Sequence, residues 1–175
     1  RDDASRWAVG GNINWGGHRW HAGLSGLYTQ FDKALHPNHH LRYRQWSAEG
    51  RNFWNLSVDY GYTSSVVNVS GETATGDCGA IATINSLSLQ LSQSLSLVTL
   101  QRFYSYKFYS LLGNSFSAGG GVQNESGIYV GAIWRPLRGL SIEGYADVAY
   151  FSWAKYLVSK ASHYYESMLS LRYER

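Results

Sequence analysis

The sequence predicts an all-β protein: an antiparallel up-and-down transmembrane β-barrel of about nine strands, an incomplete part of a larger barrel. Three observations carry that expectation. Apolar and polar residues alternate in segment after segment, connections between segments alternate between short and long, and aromatic residues gather near the segment ends. Side chains of a strand point to opposite faces in turn, so strict alternation gives one apolar and one polar face. A barrel in lipid needs that division, with aromatic girdles, short periplasmic turns and longer outer loops.

The clearest segment is 140–150. Leu140, Ile142, Gly144, Ala146, Val148 and Tyr150 share one face, and Ser141, Glu143, Tyr145 and Asp147 the other. The first strand is expected over about 6–15, with Trp7, Val9, Ile13 and Trp15 on the apolar side. Gly16-Gly17 reads as a two-residue hairpin turn. The second strand, about 18–30, puts Trp20, Leu24 and Tyr28 towards lipid, with Arg19 and His21 inward. The third, about 52–62, sets Trp54, Leu56, Val58, Tyr60 and Tyr62 against Asn55, Ser57 and Asp59. The fourth and fifth run over about 66–75 and 81–92. The sixth, about 95–104, is ambiguous because Leu97, Val98 and Leu100 do not alternate cleanly. The seventh and ninth fall at about 127–135 and 164–174.

The long connections are expected at about 31–51, 105–126 and 152–163, and every short turn then falls on the opposite side. This rhythm puts the C-terminus in the periplasm, with Tyr173 as the terminal aromatic usual in barrels inserted by the outer-membrane machinery. An odd strand count starting on the outer-loop side implies further strands upstream. Residues 1–175 are therefore expected to be one barrel segment, the C-terminal part of a longer chain. The polar opening Arg1-Asp2-Asp3 has no signal-peptide pattern and fits a mature chain or such a piece.

Composition narrows the classes. Charged residues make up 15% of the chain, against roughly 25% in an average soluble domain. No apolar run reaches the ~18 residues of a spanning helix, which excludes a helical membrane protein. The net charge of +3 comes from 11 Arg and 4 Lys that are scattered along the chain, so the clustered basic face of a nucleic-acid binder is absent from this segment. The single cysteine, Cys78, allows neither an internal disulfide nor a cysteine metal cage.

Arg19, Asp59, Glu72, Arg102, Glu143, Asp147 and Arg172 are expected to line the lumen, because a basic group facing lipid at mid-bilayer costs about 2–4 kcal/mol. They would line a pathway or pair within a filled interior. For Glu143 and Asp147, pairing with Arg is favoured over acid–base chemistry. His36, His39 and His40 share an outer loop with Asp32, but nothing fixes three or four converging ligands, and neither metal nor cofactor is expected. His21 and Ser25 stand too far apart along one strand for nucleophilic catalysis, and Ser162 and His163 point to opposite faces; the chain is not expected to be an enzyme. The aromatic 105–126 stretch would plug the lumen, form an outer binding surface or pack against the rim.

Several stretches, taken together, resemble a known family: Trp54-Asn55-Leu56-Ser57-Val58-Asp59-Tyr60-Gly61-Tyr62, Gly71-Glu72-Thr73-Ala74, Arg102-Phe103-Tyr104, Gln123-Asn124-Glu125-Ser126-Gly127-Ile128, Arg135-Pro136-Leu137, Tyr145-Ala146-Asp147 and Trp153-Ala154-Lys155-Tyr156. In order and spacing they resemble the C-terminal barrel of large Bacteroidetes proteins with an N-terminal helix-hairpin-helix region like that of competence proteins. The resemblance covers about 40–170. It departs after Tyr156, where Val158-Ser159-Lys160-Ala161-Ser162 replaces a turn with Pro and Gly. It implies a place in the outer membrane of a Gram-negative bacterium and a channel, translocation or envelope-anchoring role. A link to DNA handling would run through a helix-hairpin-helix module outside this segment. It also singles out Asn124, Glu125, Trp153 and Tyr156 as residues used in the outer loops. The expected partners are the outer-membrane bilayer, the barrel-assembly machinery during insertion, and a solute the sequence does not identify. A soluble lipocalin-like calyx, with its apolar face inside, is the rival reading; a membrane-embedded hydrolase is the second.

Overall fold

Alternating β-branched, aromatic and polar residues fold into strands between glycine- and serine-rich turns. A computed structural model describes residues 5–174, so the Arg1-Asp2-Asp3 opening lies outside the described residues. The nine strands are β1 Arg6–Gly16, β2 Trp20–Leu35, β3 Gly50–Thr63, β4 Val67–Gly76, β5 Ile81–Gln90, β6 Leu95–Tyr104, β7 Glu125–Leu137, β8 Leu140–Phe151 and β9 Ser162–Tyr173. They form one antiparallel sheet in chain order, each strand paired with its sequence neighbours. One 3₁₀ turn, Arg42–Arg44, interrupts the β2–β3 loop.

Strand boundaries differ from expectation mostly at the long loops. β2 continues to Leu35 across a register shift between Gln30 and Leu35, and β3 starts at Gly50. The loop between them shrinks to 36–49. β7 takes in Glu125 and β9 takes in Ser162, so the other long loops are 105–124 and 152–161. Polar residues at a strand end pair their backbones as readily as apolar ones, and alternation alone cannot place such ends.

Local chemistry sets the short turns. Gly17 N–H donates to Trp20 O at 2.8 Å, and Gly16 pairs with His21. The two central turn residues are therefore His18 and Arg19 rather than Gly16-Gly17. This corrects the expected place of Arg19: it sits in the turn before β2, where its carbonyl accepts from Thr63 N–H at 2.8 Å. Ser64 closes the β3–β4 turn, its hydroxyl oxygen accepting from Val67 N–H at 3.0 Å. The β7–β8 turn needs Gly139, whose φ of +82° lies in the left-handed region.

Register assigns every strand residue a face. The apolar face runs from Trp7, Val9, Ile13 and Trp15 on β1, through Trp54, Leu56 and Val58 on β3 and Ile128, Val130 and Trp134 on β7, to Tyr165, Leu169 and Leu171 on β9. Its rings are exposed, Trp20 at 53% and Trp54 at 41%. Polar groups reach this face mainly on β4–β6, where they satisfy one another. Tyr60 hydroxyl donates to Asn85, Asn85 Nδ2 donates to Gln101 Oε1 at 2.8 Å, and the Thr73 and Thr83 hydroxyls meet at 2.9 Å. The opposite face carries Asp59, Glu72, Arg102, Glu143, Asp147 and Arg172, six of the seven charged residues expected together. Register also settles β6: Leu97, Thr99 and Gln101 lie on the apolar face, Val98, Leu100 and Arg102 on the polar one.

The sheet curls around its polar face. A cavity of about 420 Å³ touches Asn68 on β4, Ser88 on β5, Val98 on β6, Tyr129 on β7, Tyr145 on β8 and Met168 on β9. Laid flat, those strands would span roughly 24 Å at about 4.8 Å each. The curl stops short of closure: among the described residues β1 pairs only with β2, and β9 only with β8.

Candidate functional site

Three strands bring one buried ionic node together on the polar face. Arg102 pairs across the sheet with Gly127, and Gly127 with Ala149. Arg102 is fully buried. Its Nη1 and Nη2 donate to Asp147 Oδ1 and Oδ2 at 2.8 and 3.1 Å, a bidentate fork. Its Nε donates to Glu125. Two carboxylates around one guanidinium leave a formal −1 inside, and backbone dipoles offset it: Ala118 N–H donates to Glu125 Oε1 at 2.9 Å and Gly119 N–H to Oε2 at 2.7 Å. Phe116 lies against the guanidinium, 5.1 Å from ring centroid to Cζ. Glycine at 127 makes room for it, since a Cβ there would stand 2.6 Å from Arg102 Cζ.

This node holds the 105–124 loop onto the polar face. Tyr104 hydroxyl donates to Phe116 O at 2.8 Å and to Ser115 Oγ at 3.0 Å. Phe108 is 1% exposed and packs with Tyr104, Ala80 and Ala82. Asn55 Nδ2 on β3 donates to Tyr109 O at 3.2 Å, and Tyr109 hydroxyl donates to Asp77 Oδ2 at 2.6 Å. Burial first, then that bond to a carboxylate, pushes the Tyr109 phenol well above its ordinary value. The loop therefore lies against the polar face of the sheet.

A second site lies where the three long loops meet. Trp46 from 36–49, Tyr106 from 105–124 and Trp153 from 152–161 form a ring cluster, with Tyr106 and Trp153 stacked at 5.2 Å and Trp46 edge-on to both. Trp153 Nε1 donates to Arg42 O at 2.9 Å. Asn124, held at φ +56°, clamps the 152–161 loop: its Nδ2 donates to Trp153 O at 2.9 Å, and its Oδ1 accepts from Trp153 N–H at 2.8 Å. Tyr156 packs edge-on to Tyr43. The cluster borders a half-open cavity of about 290 Å³ that also touches Gly119–Gly121, Gln123, Phe151 and Lys155.

Of the loop residues that the family resemblance singles out, Asn124, Trp153 and Tyr156 border this cavity. Glu125 turns the other way, to Arg102. Of the expected lumen residues, only Arg102 and Asp147 join. Asp59 pairs across the strands with Glu72 and lies 3.8 Å from His21 Nε2. Among the described residues Glu143 has no arginine within ion-pair distance; it accepts from Ser141 hydroxyl at 3.3 Å, which corrects the expected Arg pairing for this residue. Arg172 stands opposite Ser141. His39 and His36 both turn to Glu49, at 3.0 and 3.9 Å, and no group of three or more metal-binding side chains converges among the described residues.

Sequence reasoning reaches Tyr106 and Phe116 only as aromatics of the 105–126 loop, and it misses Arg42, Trp46 and Lys107. Their signal was aromatic and basic residues recurring in each long loop, but only the curl of the sheet brings those loops together. Compared with family models, curated proteins and solved structures, the chain matches none.

Proposed function

We propose that this chain is a wall segment of an outer-membrane β-barrel in a Gram-negative bacterium, stoppered at its outer end by its own 105–124 loop. Its role is then envelope anchoring or gated translocation rather than free diffusion through an open pore. One observation carries the reading: the two faces of the sheet are of opposite character. Across the paired registers no Asp, Glu, Lys or Arg falls on the face bearing the exposed Trp, Val and Leu side chains, while Arg102, Glu125 and Asp147 are buried on the other. A lipocalin-like calyx in water would need the reverse, with the apolar face inside.

In hydrocarbon every backbone N–H and C=O must find a partner, so the free edges of β1 and β9 call for further strands to complete the ring. The short turns and the end of β9 then face the periplasm, and the long loops face outward. A link to DNA handling belongs with the helix-hairpin-helix resemblance and would lie outside this segment.

The test is cell fractionation followed by planar-bilayer recording. The full-length protein is expected in the outer-membrane fraction, soluble only with detergent, and nearly non-conducting. Deleting 110–117 should raise conductance severalfold. Recovery of the protein from a detergent-free soluble extract would refute the membrane assignment.

A further inference from the structure

We infer that the cavity between the three long loops is a binding site for a phosphorylated saccharide. The inference starts from unused charge. Arg42 Cζ stands 5.0 Å from the Trp153 ring centroid, Lys107 Nζ 4.8 Å from that of Trp46, and Lys155 borders the cavity itself. None of the three has a carboxylate within ion-pair distance among the described residues. Lys155 Nζ also lies 3.5 Å from the Phe151 ring centroid and, like Glu125 Oε2, beside Gly119; Arg42 and Lys107, with no ion-pair partner among the described residues, favour an anion supplied from outside.

Unused hydrogen-bond donors point the same way. The Gly120 and Gly121 amides border the cavity and make no hydrogen bond among the described residues. Gly120 holds a φ of +80°, and a Cβ at either glycine would meet nothing within 4 Å, so their backbone stays open to approach. Left-handed turns with free N–H groups form concave anion sites. Trp46, which also lines the cavity, has an indole N–H shielded from solvent with no acceptor. Leaving a buried donor unpaired is costly, and a ligand oxygen that displaced its neighbours to reach it would relieve that cost.

The occupant also follows from what the rings have already committed. Trp153 is flanked by Tyr106 and the Arg42 guanidinium, and Tyr106 and Trp46 are each covered by Lys107. A nucleobase needs an open ring face to stack on; at Trp153, Tyr106 and Trp46 a neighbour already lies against the ring, which leaves Tyr156 as the exposed one. The groups left over are cations, amide N–H groups, Oε1 of Gln123, whose Nε2 already donates to Trp46 O and Tyr106 O, and the exposed ring of Tyr156. They suit phosphate and hydroxyl oxygens on a small ring, and about 290 Å³ accommodates one or two sugar units. Such a ligand could be the phosphorylated core of surrounding lipopolysaccharide or a soluble phosphosugar.

The placement of this cavity at the cell surface rests on the proposed membrane orientation; its chemistry does not. The full-length protein in lipopolysaccharide-free detergent would be titrated with a deacylated, bis-phosphorylated glucosamine disaccharide, with Trp fluorescence as the readout. Saturable quenching is expected, weakening as salt rises. The triple variant Arg42→Gln, Lys107→Gln, Lys155→Gln should lose about tenfold in affinity, roughly 1.4 kcal/mol, with its unfolding midpoint unchanged. Arg135→Gln at the opposite end should match the wild type. Equal binding of the unphosphorylated disaccharide or of inorganic phosphate, tighter binding of a thymidine oligonucleotide, or no quenching at all would each overturn the inference. Nanodiscs with and without lipopolysaccharide separate the sources: a membrane ligand competes the soluble probe out, and a soluble ligand does not. Failed titration leaves the fractionation result standing, and failed fractionation leaves the titration readable.

Discussion

The polar face of the sheet is two different environments laid end to end. Near the long loops it is a packed core: Phe53, Tyr104, Phe108 and Phe151 are buried there together with Arg102, Glu125 and Asp147. Near the short turns the same strands present Ser88, Ser96, Val98, Glu143 and Tyr145 to an open cavity, and none of these is buried. Strand chemistry follows the contrast, with Phe53, Ala82, Tyr104 and Phe151 inward at one end and Ser88, Ser96 and Glu143 inward at the other. The 105–124 loop returns over the first of these halves and leaves the other uncovered. A polar strand face becomes a core only where something lies on it, and here the chain supplies its own cover.

That comparison can be broken most directly at the node. Replacing Arg102 with Met leaves Glu125 and Asp147 buried without their cation, and should cost about 3–5 kcal/mol. The control is Glu143→Gln at the uncovered end, expected within about 0.5 kcal/mol of wild type. Denaturant unfolding in detergent reads both, and equal losses at the two ends would erase the distinction between them. A smaller effect is expected at Gly127, where a methyl group would displace the guanidinium. Gly127→Ala should cost about 1–3 kcal/mol by overpacking, and proteolysis should cut the 105–124 loop sooner. The smallest effect concerns Tyr109. Its neutral phenol is favoured by the fold, so its contribution is complete below the ordinary tyrosine value of about 10 and fades as pH rises through the higher folded value. Loop protection against protease should fall above about pH 10. Tyr109→Phe should remove that pH dependence and cost about 1 kcal/mol at neutral pH.

Much of the sheet was readable in advance. β8 could be assigned from Leu140 to Tyr150 because every second residue is apolar, and that period has no other structural meaning. β6 could not, because Val98 and Leu100 are apolar residues facing the polar side, where the half-open cavity tolerates them. Arg19 was misplaced because Gly16-Gly17 looks like a turn, whereas the hydrogen bond from Gly17 to Trp20 moves the bend two residues on. The Arg102 node was half legible. Cost alone puts arginine inward, but its partners depend on three strands in register, and Glu125 reads as loop until β7 is seen to begin there. The rim cavity was the least legible, because its parts come from loops that only curvature brings within reach.

Apart from side chains that reach across one intervening strand, Arg102 to Asp147 and Tyr60 to Asn85, contact between distant parts of the described residues is made through the loops. All eight contacting strand pairs are consecutive in sequence. Each hairpin can therefore be laid down on the one before it with little loop entropy to overcome, a topology that favours rapid, stepwise assembly. The bond from Trp153 to Arg42 joins residues 111 apart in sequence, and it can form only after the intervening hairpins have curled. The aromatic rim then doubles as a clock: its indole fluorescence should be the last signal to reach its native value, marking the moment at which a string of local pairings becomes a single object.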